Sequence, residues 1–338
     1  MSTTPATTAA PNPALIFETL NAYQHTAALK GAIELEVFTH IGDGAVTTAE
    51  IAKRSSASER GTRILCDYLT IMGFLTKSGS TYGLTPDSAL FLSKRSPAYM
   101  GTIMNFLSLK EIAGNFDDVA ALVRKGGTIA GKSVDPESAM WVEFAKSMVP
   151  IVHMAAMSMA QILASPGTPL KVLDIAAGHG MFGISIAKAN PAAAIVALDW
   201  KNVLAVAQEN AQKLGVADRW SSIAGSAFDV DLGSGYDLVL VTNFLHHFDK
   251  PTNTALLKKI HAALKPGGRV ATLEFVPNED RVTPPTQASF AMMMLGSTPA
   301  GDAYTFADLD VMFRAAGFGE SSIQDLAPAP QRLVITKK

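Results

Sequence analysis

The sequence predicts an α/β protein: a Rossmann-like sheet of seven strands, preceded by a mainly α, winged-helix-like region. Three observations carry this. From Lys171 onward, short apolar runs alternate with stretches of helical periodicity, the pattern of a parallel sheet with helices on both faces. Upstream, two short helical segments lead into a Ser78-Gly79-Ser80 turn between apolar runs, which reads as a hairpin. Between these parts lies Ser165-Pro166-Gly167-Thr168-Pro169, a linker by composition. The expected organisation is a disordered tail over 1–13, a helical region over 14–165 and a sheet domain over 166–338.

Residues 1–13 are a Ser, Thr, Ala and Pro tail with nothing to bury. From Ala14 to about Ile41 the residues Leu15, Leu20, Leu29, Ile33 and Val37 recur at helical spacing. Thr47-Thr48-Ala49-Glu50 has the form of a capping box and starts a short helix. A further helix follows Ser58, with Ile64, Leu65, Tyr68, Leu69, Ile71 and Met72 on its apolar face and Gly73 as its stop. Phe74–Lys77 and Thr81–Leu84 form the hairpin. Residues 97–165 read as helices broken near Lys125-Gly126-Gly127 and near Val134-Asp135-Pro136. Strands are expected at 171–176, 194–198, 219–224, 236–242 and 269–276, with helices at 180–189, 201–214, 252–264 and 305–316. The segments near 321–325 and 331–337 have no helix between them, so they should pair as an edge hairpin.

Composition bounds the function. Of the 338 residues 48% are hydrophobic and 17% charged, which is globular, and the net charge of −2 is a poor match for a nucleic-acid surface. A winged-helix pattern suggests DNA binding, but beyond Arg60 and Arg63 the second helix offers mostly large apolar side chains. Groove-reading helices present Arg, Lys, Asn or Gln. Packing against a second copy of the chain is the expectation, and a DNA-binding regulator stands as the alternative of another class. Cys66, in an apolar helical pattern, fits a reducing cytoplasm. The N-terminal stretch shows no Lys or Arg before Lys30 and no apolar h-region, unlike a secretory signal. Ser147 to Leu163 is apolar but contains Pro150, His153 and Gln161, so it reads as a buried helix or pocket wall and not a membrane span.

The chemistry concentrates after the first strand of the sheet. Leu173-Asp174-Ile175-Ala176-Ala177-Gly178-His179-Gly180 places small residues where the backbone can approach a ligand, with a helix starting at Gly180. Asp174 could face a cationic amine. Asp199, closing the second strand, suits the two hydroxyls of a ribose. Gly178-x-Gly180-x-x-Gly183 also matches a dinucleotide fingerprint, so NAD is a rival. Asp174 would repel its pyrophosphate yet suits an ammonium and a sulfonium, and the antiparallel end of the sheet also points away from dehydrogenases.

On these residues, and on Gly225-Ser226-Ala227-Phe228, Leu245-His246-His247-Phe248-Asp249, Leu264-Lys265-Pro266-Gly267-Gly268 and Glu274, the chain resembles the S-adenosylmethionine-dependent small-molecule O-methyltransferases of the plant caffeate and bacterial antibiotic-pathway type. The likeness spans nearly the whole length, with specific motifs in the second half and pattern alone in the first. It implies a class I methyltransferase sheet, an N-terminal winged-helix dimerisation domain, a homodimer and a role in secondary metabolism. It implies S-adenosylmethionine as cofactor, giving S-adenosylhomocysteine, held by Asp174, Ala176, Gly178, Gly180, Asp199, Trp200, Ser226, Ala227, Phe228 and Asn243. It implies His246 as general base for an acceptor hydroxyl and Glu274 as the carboxylate that orients it. His247 is the alternative base. C- or N-methylation in the same site, or non-methylating chemistry, stays open.

Three departures from the family pattern matter. Ala176 replaces the first glycine, Ser226 replaces the acid that usually reads the adenine amine, and Ala303 stands where a second carboxylate is expected, with Asp302 beside it. Trp141, Phe144, Met148, Met154, Met157, Phe290 and Met292–Met294 could line an aromatic acceptor site or could simply be core. From that set Trp141, Met148, Phe290 and Met294, with Asp302, are the substrate-site candidates. Asp229, Asp231 and Asp249 could suggest magnesium but read better as turn and capping residues, so no metal is expected.

Overall fold

The computed structural model describes residues 11–42, 44, 46–107, 109–129 and 138–338. Residues 1–10 of the tail expected over 1–13 and the break near Val134-Asp135-Pro136 lie outside the described residues. Two compact units divide at Met104/Asn105.

The first unit contains α1 (Ala14–Asn21), α2 (Tyr23–Glu34), α3 (Val37–Ile41), β1 (Val46–Thr47), α4 (Thr48–Arg54), α5 (Glu59–Ile71), β2 (Leu75–Ser78), β3 (Thr81–Leu84) and α6 (Pro86–Phe91). The long helical run expected from Ala14 is interrupted at Leu35-Glu36, where Glu36 takes φ 52°. The capping box forms: Thr47 Oγ1 accepts from Glu50 N–H while the Glu50 carboxylate accepts from Thr47 N–H at 3.0 Å. Ser58 caps α5. The hairpin pairs Leu75 with Leu84 and Ser78 with Thr81, and β1 adds a third strand through Val46 and Tyr82. That strand has no periodicity of its own to betray it, being two residues long. Phe38, Ile51, Cys66, Leu69 and Tyr82 form the core, and burial pushes the Cys66 thiol up to about 11. In contrast, Leu15, Ile16, Phe17, Leu20 and Tyr23 on and beside α1 are 60% to 72% exposed.

α7 (Ile103–Leu107) straddles the division. The second unit continues with α8 (Lys110–Ala113), α9 (Val119–Lys125) and α10 (Ala139–Leu163). Then come β4 (Leu170–Ile175), α11 (Met181–Ala189), β5 (Ala193–Asp199), α12 (Lys201–Lys213), β6 (Trp220–Ala224), β7 (Tyr236–Thr242), α13 (Lys250–Ala263) and β8 (Leu264–Glu274). α14 (Pro285–Ser297), α15 (Phe306–Ala315), β9 (Ser321–Asp325) and β10 (Arg332–Lys337) complete it. Composition placed a boundary at 165/166, whereas the compact unit starts at Asn105. α10 packs along α11 and α12, so its apolar side is part of the core over the sheet.

The described strands form a seven-stranded sheet in the order β6-β5-β4-β7-β8-β10-β9, with β10 antiparallel to both β8 and β9. α10, α11 and α12 cover one face; α13 and α15 cover the other. Val172, Leu238, Leu240 and Ala271 point into the first core and Leu173, Val239, Val241 and Val270 into the second, the period-two reversal that a strand buried on both faces requires. At roughly 25 cal/mol per Å2 of apolar surface removed from water, these two layers dominate the stability of the unit. Two elements differ from expectation. β8 begins at Leu264 and not at 269, because a register irregularity between Tyr236 and Leu238 lets Lys265–Gly268 loop out while the strand continues. α14 was not foreseen: it carries no charged residue and its Met-rich run lacks a polar face, although Pro285 at its first position is a start signal.

The candidate active site

Strand order reverses between β4 and β7, so a crevice opens at the C-terminal ends of the parallel strands, where α/β sheets bind ligands. Five loops meet there. In the loop after β4, Ala176, Gly178 and Gly180 have φ of 53°, 57° and 75°. The glycines serve different ends. A Cβ on Gly180 would lie 2.9 Å from Trp220 Cη2, and one on Gly183 2.8 Å from Ile195 Cγ2, so both are packing glycines over β5 and β6. A Cβ on Gly178 would meet nothing closer than 3.9 Å, so this is the open side of the loop.

Asp199 ties the loop in place. Its Oδ2 accepts from Gly178 N–H at 2.8 Å and its Oδ1 from Trp200 N–H at 2.7 Å, leaving further lone pairs for hydroxyl donors. Burial raises its pKa above the usual carboxylate value of 3.8. Asp174 lies behind the loop: it is fully buried, its Oδ2 accepts from Gly183 N–H at 3.1 Å, and burial pushes it up to about 7. Asp174 Oδ1 and Asn243 Oδ1 are buried and meet no partner among the described residues. Two carboxylates, two unanswered acceptors and an open glycine face fit a cofactor that brings hydroxyl donors and positive charge. A pyrophosphate would meet the wrong sign.

The loop after β6 is braced from within. Ser226 Oγ accepts from Phe228 N–H at 3.2 Å, and Ser226 O from the amides of Asp229 and Val230 at 3.0 Å. Lys259 Nζ on α13 donates to the carbonyls of Ala227 at 3.1 Å, Phe228 at 3.0 Å and Val230 at 2.5 Å. Phe228 sits edge-on to Phe248 at 4.9 Å, joining this loop to the next.

After β7, Asn243 turns the chain with φ 51° and a 3-10 turn over Leu245–His247 presents His246. The imidazole is 5% exposed and Glu274, at the end of β8, 4%. Their Nδ1 and Oε2 atoms are 2.6 Å apart, while Glu274 Oε1 accepts from Phe244 N–H at 2.9 Å. A carboxylate facing Nδ1 favours the proton there, which leaves the Nε2 lone pair free to accept one. The Phe290 ring stands edge-on to His246 at 4.9 Å and stacks on Phe275 at 4.1 Å. His247 lies 4.4 Å from His246, ring to ring; burial first and His246 second depress its basicity far below 6.5.

The O-methyltransferase domain model matches residues 135–319. This chain belongs to the O-methyltransferase family. A dimerisation-domain model of the same family matches residues 17–94. A crystal structure of a candidate O-methyltransferase from Nostoc punctiforme is 49% identical, superposes with a TM-score of 0.94, and covers 98% of this chain and 100% of its own. 3-Hydroxy-5-methyl-1-naphthoate 3-O-methyltransferase of Streptomyces sahachiroi is 27% identical across 91% of this chain and 90% of its own length. Human N-acetylserotonin methyltransferase, solved with S-adenosylmethionine, shares the fold at 21% identity and a TM-score of 0.84, covering 98% of this chain and 99% of its own. The protein is an S-adenosylmethionine-dependent O-methyltransferase with a class I sheet.

Within the site of this methyltransferase, the expected acceptor residues separate. Phe290 touches His246, and Met294, one turn on, is buried. Met148 packs on the core under α10. Trp141 joins Trp200, Val203 and Val206 beside the Asp199 loop and stands edge-on to Phe144, so it borders the cofactor side. The Asp302 carboxylate does not replace the missing second carboxylate. It is 41% exposed and pairs with Arg281 at 3.2 Å; its amide instead donates to His246 O at 3.0 Å. Asp231 and Asp249 are turn and cap residues, accepting from Gly233 and Thr252 N–H. Sequence reasoning missed Lys259 and also Asn253, whose Nδ2 donates to Leu245 O at 2.8 Å and Phe248 O at 3.1 Å. Neither has a motif, since any residue reaching a carbonyl from a helix looks like ordinary helix.

His179, inside the glycine loop, gives a stability prediction. Its Nδ1 accepts from Met181 N–H at 3.1 Å and burial lowers its pKa to about 4 from 6.5. A folded-state value below the unfolded one gives stability that is complete above pH 6.5 and lost as pH falls toward 4, about 3 kcal/mol in all. His179→Asn should flatten the decline of Tm between pH 6.5 and 4. A slope equal to the parent's would refute this.

Proposed function

We propose that this methyltransferase transfers its methyl group to a hydroxyl of a small aromatic acceptor, with His246 as general base. The observation carrying the reading is the buried His246–Glu274 pair at 2.6 Å beside the Phe290–Phe275 stack. S-Adenosylmethionine supplies a methyl carbon made electrophilic by a positively charged sulfur. Asp199 would receive the ribose hydroxyls and Gly178 would give the cofactor backbone room, while Ala176, Gly180 and Trp200 shape that loop and Asp174 would meet the cofactor's positive charge from behind it. The loop of Ser226, Ala227 and Phe228 and the buried acceptor of Asn243 complete this half of the site. The Phe290 face orders a flat ring. His246 Nε2 is placed to take the hydroxyl proton and Glu274 to hold the imidazolium; the oxygen would gain the methyl carbon as the carbon–sulfur bond pair returns to sulfur, with S-adenosylhomocysteine leaving as a neutral thioether. Much of the acceleration comes from holding oxygen and methyl in line.

The naphthoate acceptor in the name of the Streptomyces relative supports a phenolic acceptor from secondary metabolism. The dimerisation-domain match and the exposed apolar face of α1 support a homodimer through the winged-helix-like first unit. No described helix is long and apolar enough to cross a membrane, and free, buried Cys66 suits the cytoplasm. The test is methyl transfer from labelled cofactor to hydroxynaphthoates and simple phenols, with products resolved by mass and NMR. A methoxy product supports the reading; transfer only to ring carbon or to amines overturns it.

A further inference from the structure

We propose that Gly301 is a positioning residue for His246, and that the loop over 298–304 sets the placement of the imidazole. The inference rests on the reading of His246 as the base. The 3-10 turn that presents His246 has its carbonyls gripped from outside: Leu245 O and Phe248 O by Asn253, Phe248 O also by the Tyr304 hydroxyl at 2.5 Å, and His246 O by Asp302 N–H at 3.0 Å. Two of these four bonds come from the 298–304 loop. The approach is so close that a Cβ on Gly301 would fall 2.1 Å from His246 O and 3.0 Å from His247 C. Gly301 has no positive φ, so the requirement is for space and not for a dihedral angle.

The loop has no slack on its other side. Gly301 N–H donates to Thr298 Oγ1 at 2.8 Å, and that hydroxyl donates to Met294 O at 2.7 Å, fixing the loop to the helix that carries Phe290. A Cβ on Gly127 would lie 2.2 Å from Pro299 O, where Thr128 N–H donates to Thr298 O at 2.8 Å. The loop is thus a spacer clamped between two backbones. A methyl at 301 has to displace the loop or the histidine turn by about 1 Å, enough to cost up to ~100-fold in rate when the displaced group reacts.

The experiment measures kcat, S-adenosylhomocysteine affinity and Tm for Gly301→Ala, His246→Ala and the double variant. Gly301→Ala should lower kcat by at least ~10-fold with affinity within about twofold of the parent, and should cost less than about twofold more in the His246→Ala background. Tyr304→Phe, which adds no volume, should lower kcat by ~3- to 10-fold with the same dependence on His246, and it carries the test if Gly301→Ala does not fold. Equal losses in both backgrounds would assign the loop a general structural role and overturn the proposal. If His246→Ala falls and Gly301→Ala stays near the parent, the inference alone fails; if His246→Ala keeps its rate, the base reading fails and takes the inference with it.

Discussion

His246→Ala should cut kcat by at least ~100-fold while S-adenosylhomocysteine still binds within about twofold of the parent affinity. The two quantities separate because the imidazole and the cofactor loops are built by different strands. His246 stands after β7 and is anchored at Glu274 on β8, whereas Asp199 and Gly178 belong to β5 and the loop after β4. Deleting the ring removes the proton acceptor and leaves Glu274 still accepting from the N–H groups of residues 244 and 246, so the β7–β8 corner keeps two of its three ties to this carboxylate. Residual turnover should reflect the alignment of acceptor and methyl alone. Single-turnover rates with a phenolic acceptor give the answer; a rate within a few-fold of the parent would remove His246 from the mechanism.

Asp199→Ala should abolish measurable cofactor binding, raising the Kd for S-adenosylhomocysteine by at least ~100-fold. On the proposed ribose role, two charge-assisted hydrogen bonds to hydroxyls would be lost, at roughly 1.5–3 kcal/mol each. The amides of Gly178 and Trp200 also lose their acceptor, so the loop loosens. Asp199→Asn keeps one acceptor and should fall between the two. Because burial raises the pKa of Asp199, affinity should weaken from the acid side as protonation removes its charge, starting at a higher pH than for a solvated aspartate. Calorimetric titration checks all three, with NADH as counter-ligand. Retained binding in Asp199→Ala would remove the ribose role, and NADH binding in place of S-adenosylhomocysteine would contradict the assignment of the cofactor.

Much of the fold is legible in the residues themselves. Strands β4, β5 and β7 announced themselves because a strand buried on both faces must be a short, largely apolar run. The loop motifs fall at their C-terminal ends, so Gly178 and Asp199 were legible as residue types at strand ends, whereas His246 and Glu274 came only from the resemblance to the family. What escaped depends on depth and reach. Asp174 and Asp199 both end strands, yet one faces behind the loop and the other holds it. Trp141 and Phe290 looked alike as aromatic candidates, but packing sent one to Trp200 and the other to His246. Asp302 lay beside the vacant carboxylate position, and only the reach of Arg281 shows why its side chain turns away. The grips of Lys259 and Asn253 on carbonyls leave no trace in residue spacing.

The antiparallel end of the sheet has a consequence for synthesis. β10, at 332–337, lies between β8 and β9, so β9 has no neighbour of its own until β10 is in place. While the ribosome is still making residue 320, β8 presents a bare edge of unpaired amides and carbonyls, a template for pairing with another nascent chain. The exposed interval is short at 5–20 residues per second, but it comes after the residues of every described helix of the domain have been made. Closure of this sheet therefore waits on residues 332–337: a stall near residue 330 would hold a domain with its crevice-forming loops made and one flank open.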